Sequence, residues 1–228
     1  MTTSWLVTGT DTGVGKTVVS CALLHRLRQT GMRAVGMKPV ASGCTRAAQG
    51  LVNEDIEALL QAGDPEATRD EVGMYRFEPP IAPHIAAARA GVEIDIAATA
   101  ARHRALAHRY DAVVVEGAGG WLVPLGASSV FADLARALAL PVVLVVGIRL
   151  GCINHALLTV ESIACSGPRL AGWVANVIDP HMTFMDENLD TLRTRIDAPL
   201  LGVVEHRVPP DPAHIALELP PARRGMGG

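Results

Sequence analysis

The sequence predicts a single α/β domain in which a mostly parallel sheet is covered by helices on both faces. Three observations lead to this fold class. Short apolar runs alternate with helical patterns along most of the chain. The strand-like runs are apolar throughout, as in strands that are buried on both faces. No internal repeat or long linker divides the 228 residues, which suffice for one full core.

The first half of the chain opens with a short buried strand at residues 5–8 and a helix at residues 16–30. A Gly-rich turn joins them, and Gly31 follows the helix where a C-cap is expected. Apolar periodicity and β-branched runs then predict a strand at residues 33–38, helices at residues 53–62 and 95–108, and a strand at residues 111–116.

The second half continues the alternation, and its last strand is followed by a segment rich in proline and glycine. We expect helices at residues 134–140, 154–165 and 183–195, and strands at residues 141–146, 170–177 and 200–204. The predicted organisation is one domain over residues 1–207 and an irregular tail over residues 208–228.

Composition argues against several classes of partner. The net charge is −3 and no basic run occurs, which argues against binding to nucleic acid or an anionic membrane. The first residues lack the features of a signal peptide, and the most apolar run, residues 137–146, is too short to span a bilayer. None of the four cysteines forms a C-x-x-C pair. We therefore expect reduced thiols and a cytoplasmic protein.

The most specific local signal is the run GTDTGVGKT at residues 9–17, which follows a strand and opens a helix. Glycines let the backbone N–H groups face phosphate oxygens, and the helix N-terminus adds positive potential. Lys16 can reach the β- and γ-phosphates, and the Thr17 hydroxyl can bind Mg²⁺. Five residues separate Gly9 from Gly15, one more than in the usual pattern. The motif predicts a P-loop NTPase-like fold that binds a nucleotide.

Further polar residues fall where ligands bind in open α/β sheets, beyond the carboxyl ends of strands. Lys38 is predicted to end one strand, where it could face phosphate or could be a solvated lysine. Glu116 ends another strand and could bind Mg²⁺ or stabilise its loop. Asp55 lies at a helix start, where capping is the alternative. Asn154 opens a helix that could bind an anion, and Asn176 could read a base edge.

Together these segments resemble the dethiobiotin synthetase family. The resembling segments are residues 8–12, 14–17, 38–43, 115–121, 150–156 and 171–176, in the order that the family has them. The resemblance covers the chain to about Gly202. It implies that 7,8-diaminononanoate takes up CO₂ as a carbamate, that ATP phosphorylates the carbamate, and that the second amine closes a ureido ring. It also implies a homodimer in which the tail of the substrate reaches the partner chain.

The resemblance further implies a set of site residues. It assigns catalysis to Lys16 and Lys38, and it assigns the binding of Mg²⁺ to Thr17, Asp55 and Glu116. The residues that it implies for nucleotide contacts are Gly13, Val14, Gly15, Lys16, Thr17, Val18, Asp55, Glu116, Asn176, Glu205, His206 and Arg207. Substrate contacts fall to Ser42, Gly119, Leu150, Asn154 and Asn188.

Three positions depart from the family pattern. Gly13 stands where an acid is common, Asn188 where a tyrosine is expected, and Glu205 where a proline is expected.

Two other functions compete with this interpretation. A small-molecule or nucleotide kinase would transfer phosphate without ring closure, but it does not explain residues 38–43 and 151–156. A partitioning-type nucleotide switch usually has a second lysine early in its P-loop and an amphipathic tail. Neither residues 9–15 nor residues 208–228 supply these features.

Overall fold

The computed structural model describes residues 2–221, and Met1 and residues 222–228 lie outside the described part. In chain order its strands and helices are β1 (Thr3–Gly9), α1 (Lys16–Gln29), β2 (Ala34–Ala41), β3 (Thr45–Ala47), β4 (Gly50–Val52), α2 (Glu54–Ala62), α3 (Arg69–Val72), β5 (Gly73–Arg76), α4 (Pro83–Ala90), α5 (Ile96–Arg109), β6 (Ala112–Gly120), α6 (Phe131–Leu138), β7 (Val142–Ile148), α7 (Cys152–Ser166), β8 (Leu170–Val177), α8 (Met185–Arg195) and β9 (Leu200–Val204).

Seven of the strands form one sheet in the order β5-β2-β6-β1-β7-β8-β9. Every neighbouring pair in this sheet is parallel, and its central strands are buried along most of their length. The two remaining described strands, β3 and β4, form a separate antiparallel hairpin. The predicted fold class, a mostly parallel sheet with helices on both faces, is confirmed.

Two central strands run further than the sequence predicts. β2 continues past Lys38 to Ala41, and β6 continues past Glu116 to Gly120. The prediction that these two residues end their strands is therefore wrong. In β6 the pairing with β1 continues beyond Glu116, because Gly120 pairs with Gly9. In β2 the reason is β5, a short edge strand that the sequence pattern did not reveal. It pairs with β2 from Lys38 onward, where the pairing of β2 with β6 has stopped at Met37.

The region between α2 and α5 contains several elements that the sequence analysis missed. Each has eight residues or fewer, which is too short for a clear apolar period. Local signals for two of them are visible in retrospect. A capping box of Thr68 and Glu71 opens α3, and Pro83 occupies the first turn of α4.

Two glycines let α2 approach the sheet closely. A Cβ atom on Gly36 would lie 2.9 Å from Cβ of Leu59, and one on Gly73 would lie 2.3 Å from Cδ1 of Ile56. Leu59 and Ile56 are both fully buried residues of α2. This packing fixes the start of α2, and with it Asp55, beside the central strands.

The described part of the predicted tail packs on the domain. Leu217 is buried, and the Glu218 backbone N–H donates to the Leu201 carbonyl at 2.9 Å. A short 3₁₀ turn at Pro212–His214 is its only regular element within the described residues. The boundary at residue 207 stays a prediction, and residues 222–228 lie outside the described residues. None of the helices within residues 2–221 is long and apolar enough to cross a membrane.

Candidate active site

A cleft of about 710 Å³ opens at the carboxyl ends of the central strands. Nine of the residues predicted for the site line it: Gly13, Gly15, Lys16, Thr17, Lys38, Ser42, Asp55, Glu116 and Gly119. They come from four separate parts of the chain that the sheet brings together. This is the place where parallel α/β sheets bind their ligands.

The loop after β1 has the backbone of a phosphate cradle. Gly13 has a φ of +74° and Gly15 a φ of +89°, so both adopt the left-handed conformation that favours glycine. Gly15 caps α1, whose first N–H groups therefore point into the cleft without a side-chain acceptor. Lys16 folds back over the loop, and its Nζ donates to the Asp11 carbonyl at 2.8 Å.

A cluster of one hydroxyl, one ammonium and two carboxylates lies beside this loop. Lys38 Nζ donates to Asp55 Oδ2 at 2.8 Å and to Glu116 Oε1 at 2.6 Å. Thr17 Oγ1 lies 2.8 Å from both Asp55 Oδ1 and Glu116 Oε1. Lys38 is 4 % exposed and Glu116 is 0 % exposed. The alternative of a solvated lysine at a strand end is therefore wrong.

The register of the sheet explains why these side chains meet. Glu116 on β6 pairs with Val7 on β1, two residues before the phosphate loop begins at Gly9. On the other side of β6, Val115 pairs with Met37, which places Lys38 next to Glu116. The sheet thus holds the lysine, the buried acid and the phosphate loop on three adjacent strands.

Asp55 does not cap the helix at whose start it lies. Asn53 is the N-cap of α2, and its Oδ1 accepts from the backbone N–H groups of Asp55 and Ile56. The Asp55 carboxylate is free to face Thr17 and Lys38 instead. The Asn53 side chain also donates to the Ser42 carbonyl at 3.2 Å, which ties the loop after β2 to the same helix start.

The cluster fits a Mg²⁺ ion. Hard oxygen donors, as in Thr17, Asp55 and Glu116, are the ligands that Mg²⁺ prefers. One hydroxyl proton on Thr17 cannot serve both carboxylates at once. Moreover, Glu116 Oε2 is buried and has no hydrogen-bond partner among the described residues. A carboxylate oxygen without a hydrogen-bond partner has lone pairs that can bind a cation.

The two lysines differ in their electrostatic surroundings. Burial and the neighbouring Lys38 lower the pKa of Lys16 to about 8, against the opposing pull of Glu116. Burial also disfavours the charged form of Lys38, but the contacts with Glu116 and Asp55 outweigh it and raise the pKa of Lys38. Burial alone would raise the pKa of Asp55, but the contacts with Lys38 and Thr17 hold it below its usual range.

Lys16 and Lys38 are the only two lysines in the whole sequence, whereas arginine occurs throughout. The chain therefore carries its flexible, compact ammonium groups at this one site. Unlike a guanidinium, an ammonium can turn its three donors toward a moving phosphoryl group and can lose its proton when it is desolvated.

Three other predicted residues, Val14, Val18 and Asn176, do not line the cleft. Val14 and Asn176 are in contact, because Asn176 Nδ2 donates to the Val14 carbonyl at 2.8 Å. A Cβ atom on Gly15 would lie 2.1 Å from the same Nδ2, so the amide rests against the loop. Val18 lies half-buried one residue beyond Thr17 on α1.

The six remaining predicted residues lie in three other places. Glu205 and Arg207 line a smaller cavity of about 250 Å³ beyond β9, and His206 between them is exposed. Leu150 and Asn154 are exposed at the start of α7. On α8, Asn188 Nδ2 donates to the Phe184 carbonyl at 2.8 Å. These residues remain predictions for the site.

One side of the cleft is an apolar wall that the sequence patterns do not predict. Pro80, Ile81, Ala82 and Pro83 form one part of it, and Val123 forms another. The two prolines were a visible signal for a rigid loop, but nothing in the sequence showed that this loop faces the phosphate loop. The cleft therefore has a charged floor and an apolar wall.

Comparison with known proteins identifies the family. A family model described as an AAA domain matches residues 3–212. A relative from Aromatoleum aromaticum is named ATP-dependent dethiobiotin synthetase BioD and is 55 % identical, over 95 % of this chain and 96 % of the relative. Relatives of the same name from Xylella fastidiosa and Pseudomonas paraeruginosa are 51 % and 50 % identical, and each comparison covers at least 96 % of both chains.

Solved structures support the fold. The septum site-determining protein MinD from Pyrococcus horikoshii, complexed with Mg-ADP, superposes with a TM-score of 0.57 at 16 % identity, over 91 % of this chain and 83 % of that one. Chloroplast FtsY from Physcomitrella patens gives 0.55 at 17 % identity, over 96 % and 62 %. At such identities the likeness concerns the fold alone, which is P-loop NTPase-like. On the strength of the curated relatives, the chain belongs to the ATP-dependent dethiobiotin synthetase family.

Proposed function

We propose that this enzyme closes a cyclic urea on 7,8-diaminononanoate, using CO₂ and ATP. One amine adds to CO₂ and gives a carbamate. A carbamate oxygen attacks the γ-phosphorus of ATP, and ADP leaves. The second amine then attacks the carbamate carbon, the C–O bond to phosphate breaks, and dethiobiotin and inorganic phosphate are released.

The observation that carries this proposal is that both lysines line the same cleft as the carboxylates of Asp55 and Glu116. Transfer of a phosphoryl group demands positioning and neutralisation of charge rather than covalent help from the protein. Lys38 is held between Asp55 and Glu116, so its ammonium is fixed and charged where the carbamate and the γ-phosphoryl group would meet. Lys16 needs only to leave the Asp11 carbonyl to reach the phosphates.

The remaining roles follow from position. We assign the nucleotide phosphates to Gly13, Gly15, Lys16 and Thr17, and the adenine to Asn176 and residues 205–207. Ser42 and Gly119, which line the cleft, would contact the carbamate or the diamine. Thr17, Asp55 and Glu116 would hold Mg²⁺, which when bound supplies neutralisation of the phosphate charge.

The test is a product assay that separates ring closure from simple phosphate transfer. With diamine, bicarbonate and Mg-ATP, we expect ADP and dethiobiotin in equal amounts. Omission of either the diamine or bicarbonate should stop ADP formation. A kinase would instead make ADP with the diamine alone and would leave a phosphorylated product. ATP hydrolysis at full rate without diamine, and without a ureido product, would reject the proposal.

We also propose that the active site is shared between two chains. The carboxylate tail of the substrate needs a donor, and the only cations among the described cleft-lining residues are Lys16 and Lys38 at the phosphate end. Asn154 and Asn188 lie elsewhere, on α7 and α8. Beside them Leu150 is 88 % exposed and Phe184 is 73 % exposed. A second chain packed here would cover these side chains and would bring Asn154 to the cleft of its partner.

Mixing two damaged variants tests the shared site. Lys38→Ala damages the phosphoryl end, and Asn154→Asp places a like charge against the substrate carboxylate. In a mixed twofold dimer one site collects both lesions and the other collects neither. Random mixing makes about half of the dimers mixed, so about a quarter of all sites should be intact. If confirmed mixed dimers show no more activity than the average of the parents, each site belongs to one chain.

A further inference from the structure

Asp11 is an acid within a loop that is built to hold phosphates. Its Oδ1 accepts from the Thr12 backbone N–H at 2.7 Å, so the carboxylate occupies one of the loop donors. A fixed negative charge beside bound phosphates opposes their binding, because like charges repel at such distances. The function proposed above gives this acid no role.

The cation that faces this carboxylate comes from another part of the chain. Arg149 Nη2 donates to Asp11 Oδ2 at 2.9 Å. Lys16 donates its hydrogen bond to the Asp11 backbone carbonyl and interacts with the carboxylate only through space, so the hydrogen-bonded cation of the carboxylate is Arg149. Within residues 2–221, the ion pair of Asp11 is formed with Arg149.

The pairing of strands in the sheet places Arg149 next to the phosphate loop. β7 is the neighbour of β1, and the Thr10 backbone N–H donates to the Val145 carbonyl at 3.0 Å. Arg149 follows β7 directly, and the Cys152 backbone N–H closes a turn onto the Arg149 carbonyl at 3.0 Å. The guanidinium is therefore placed by strand pairing and a hydrogen-bonded turn.

We propose that Arg149 is a positioning residue that neutralises Asp11 and thereby keeps the phosphate loop favourable for the phosphates of a nucleotide. It acts through Asp11 and makes no contact of its own with the nucleotide. This inference rests on the nucleotide-binding part of the proposed function and is independent of the identity of the diamine.

A double-mutant cycle on nucleotide affinity tests the proposal, with Mg-ADP as the probe and calorimetry as the measurement. Arg149→Gln should raise the Kd for Mg-ADP by about tenfold, the scale for one uncompensated charge near phosphates. In the Asp11→Asn background, the same Arg149→Gln change should alter Kd by less than about threefold, because there is no charge left to neutralise. Arg149→Lys, which keeps the positive charge, should bind within about threefold of the unmodified protein.

Arg193 on α8 offers a matched control, since it is similarly exposed and pairs with Asp190 at 2.7 Å. Arg193→Gln should leave the Kd unchanged. An unchanged Kd in Arg149→Gln would overturn the proposal and reduce the contact to a solvated surface pair. An equal loss in both Asp11 backgrounds would also overturn it, because Arg149 would then act on the nucleotide itself. Normal Mg-ADP binding without dethiobiotin formation would reject the proposed reaction and leave this inference standing.

Discussion

Replacement of Lys38 by methionine is expected to lower turnover by about 10²-fold or more, the scale for losing a charge partner of a transition state. The same change should also destabilise the fold. Lys38 is buried between Asp55 and Glu116, and its removal leaves the fully buried Glu116 without its cation. Loss of one partner from a buried ion pair costs on the order of 3 kcal/mol. A solvated lysine at a strand end, which the sequence left open as an alternative, would contribute little to stability.

The effects of Lys38→Met are best compared with those of Lys16→Met. Lys16 contacts a backbone carbonyl rather than a carboxylate, and burial and Lys38 lower its pKa. Its removal should therefore abolish most turnover while leaving the free energy of unfolding nearly unchanged. Steady-state rates and urea unfolding of both variants make the comparison. Near-normal turnover in a folded Lys38→Met protein, or equal destabilisation by both changes, would contradict this account of the cluster.

The second large effect is expected from the two carboxylates. Glu116→Gln should lower turnover by about 10²-fold and raise the Mg²⁺ concentration needed for half-maximal rate, because it removes the buried charge that Thr17 and Lys38 contact. Asp55→Asn should act in the same direction with a smaller effect, about tenfold, since its side chain is 42 % exposed and water screens the loss.

A titration of turnover with Mg²⁺ measures both variants, and Mg²⁺-dependent thermal stabilisation gives a second readout. Glu57→Gln serves as the control, because Glu57 lies on the same helix but pairs with Arg69. Unchanged Mg²⁺ dependence in both Glu116→Gln and Asp55→Asn would leave these acids with a purely structural role.

The sequence predicted best what is encoded locally. The run at residues 9–17 requires glycine at left-handed positions and a lysine at the start of a helix. Both features can be recognised in the sequence without knowledge of the fold. The alternation of apolar and helical runs likewise sufficed for the parallel sheet. Strand ends were less accurate, because the pairing of β2 with the four-residue β5 extends the strand beyond Lys38 and depends on contacts far along the chain.

Features set by contacts between distant residues could not be predicted. Asp55 and Asn53 are both good N-cap residues, and only the folded helix shows that Asn53 caps and Asp55 faces Lys38. The contact of Arg149 with Asp11 joins residues 138 positions apart, and neither is distinctive by itself. The apolar wall of the cleft depends on where the loop at residues 79–83 lies against the phosphate loop.

In the proposed reaction, the oxygen that attacks ATP belongs to a carbamate made from CO₂. The most direct measurement supplies diamine, Mg-ATP and freshly dissolved CO₂ labelled with ¹³C and ¹⁸O, and analyses the products by mass spectrometry after a brief reaction. We expect dethiobiotin that carries the ¹³C in its ureido carbon, and inorganic phosphate that carries one ¹⁸O from the broken C–O bond. Ureido product accompanied by unlabelled phosphate, or ADP formed without any labelled ring, would contradict it.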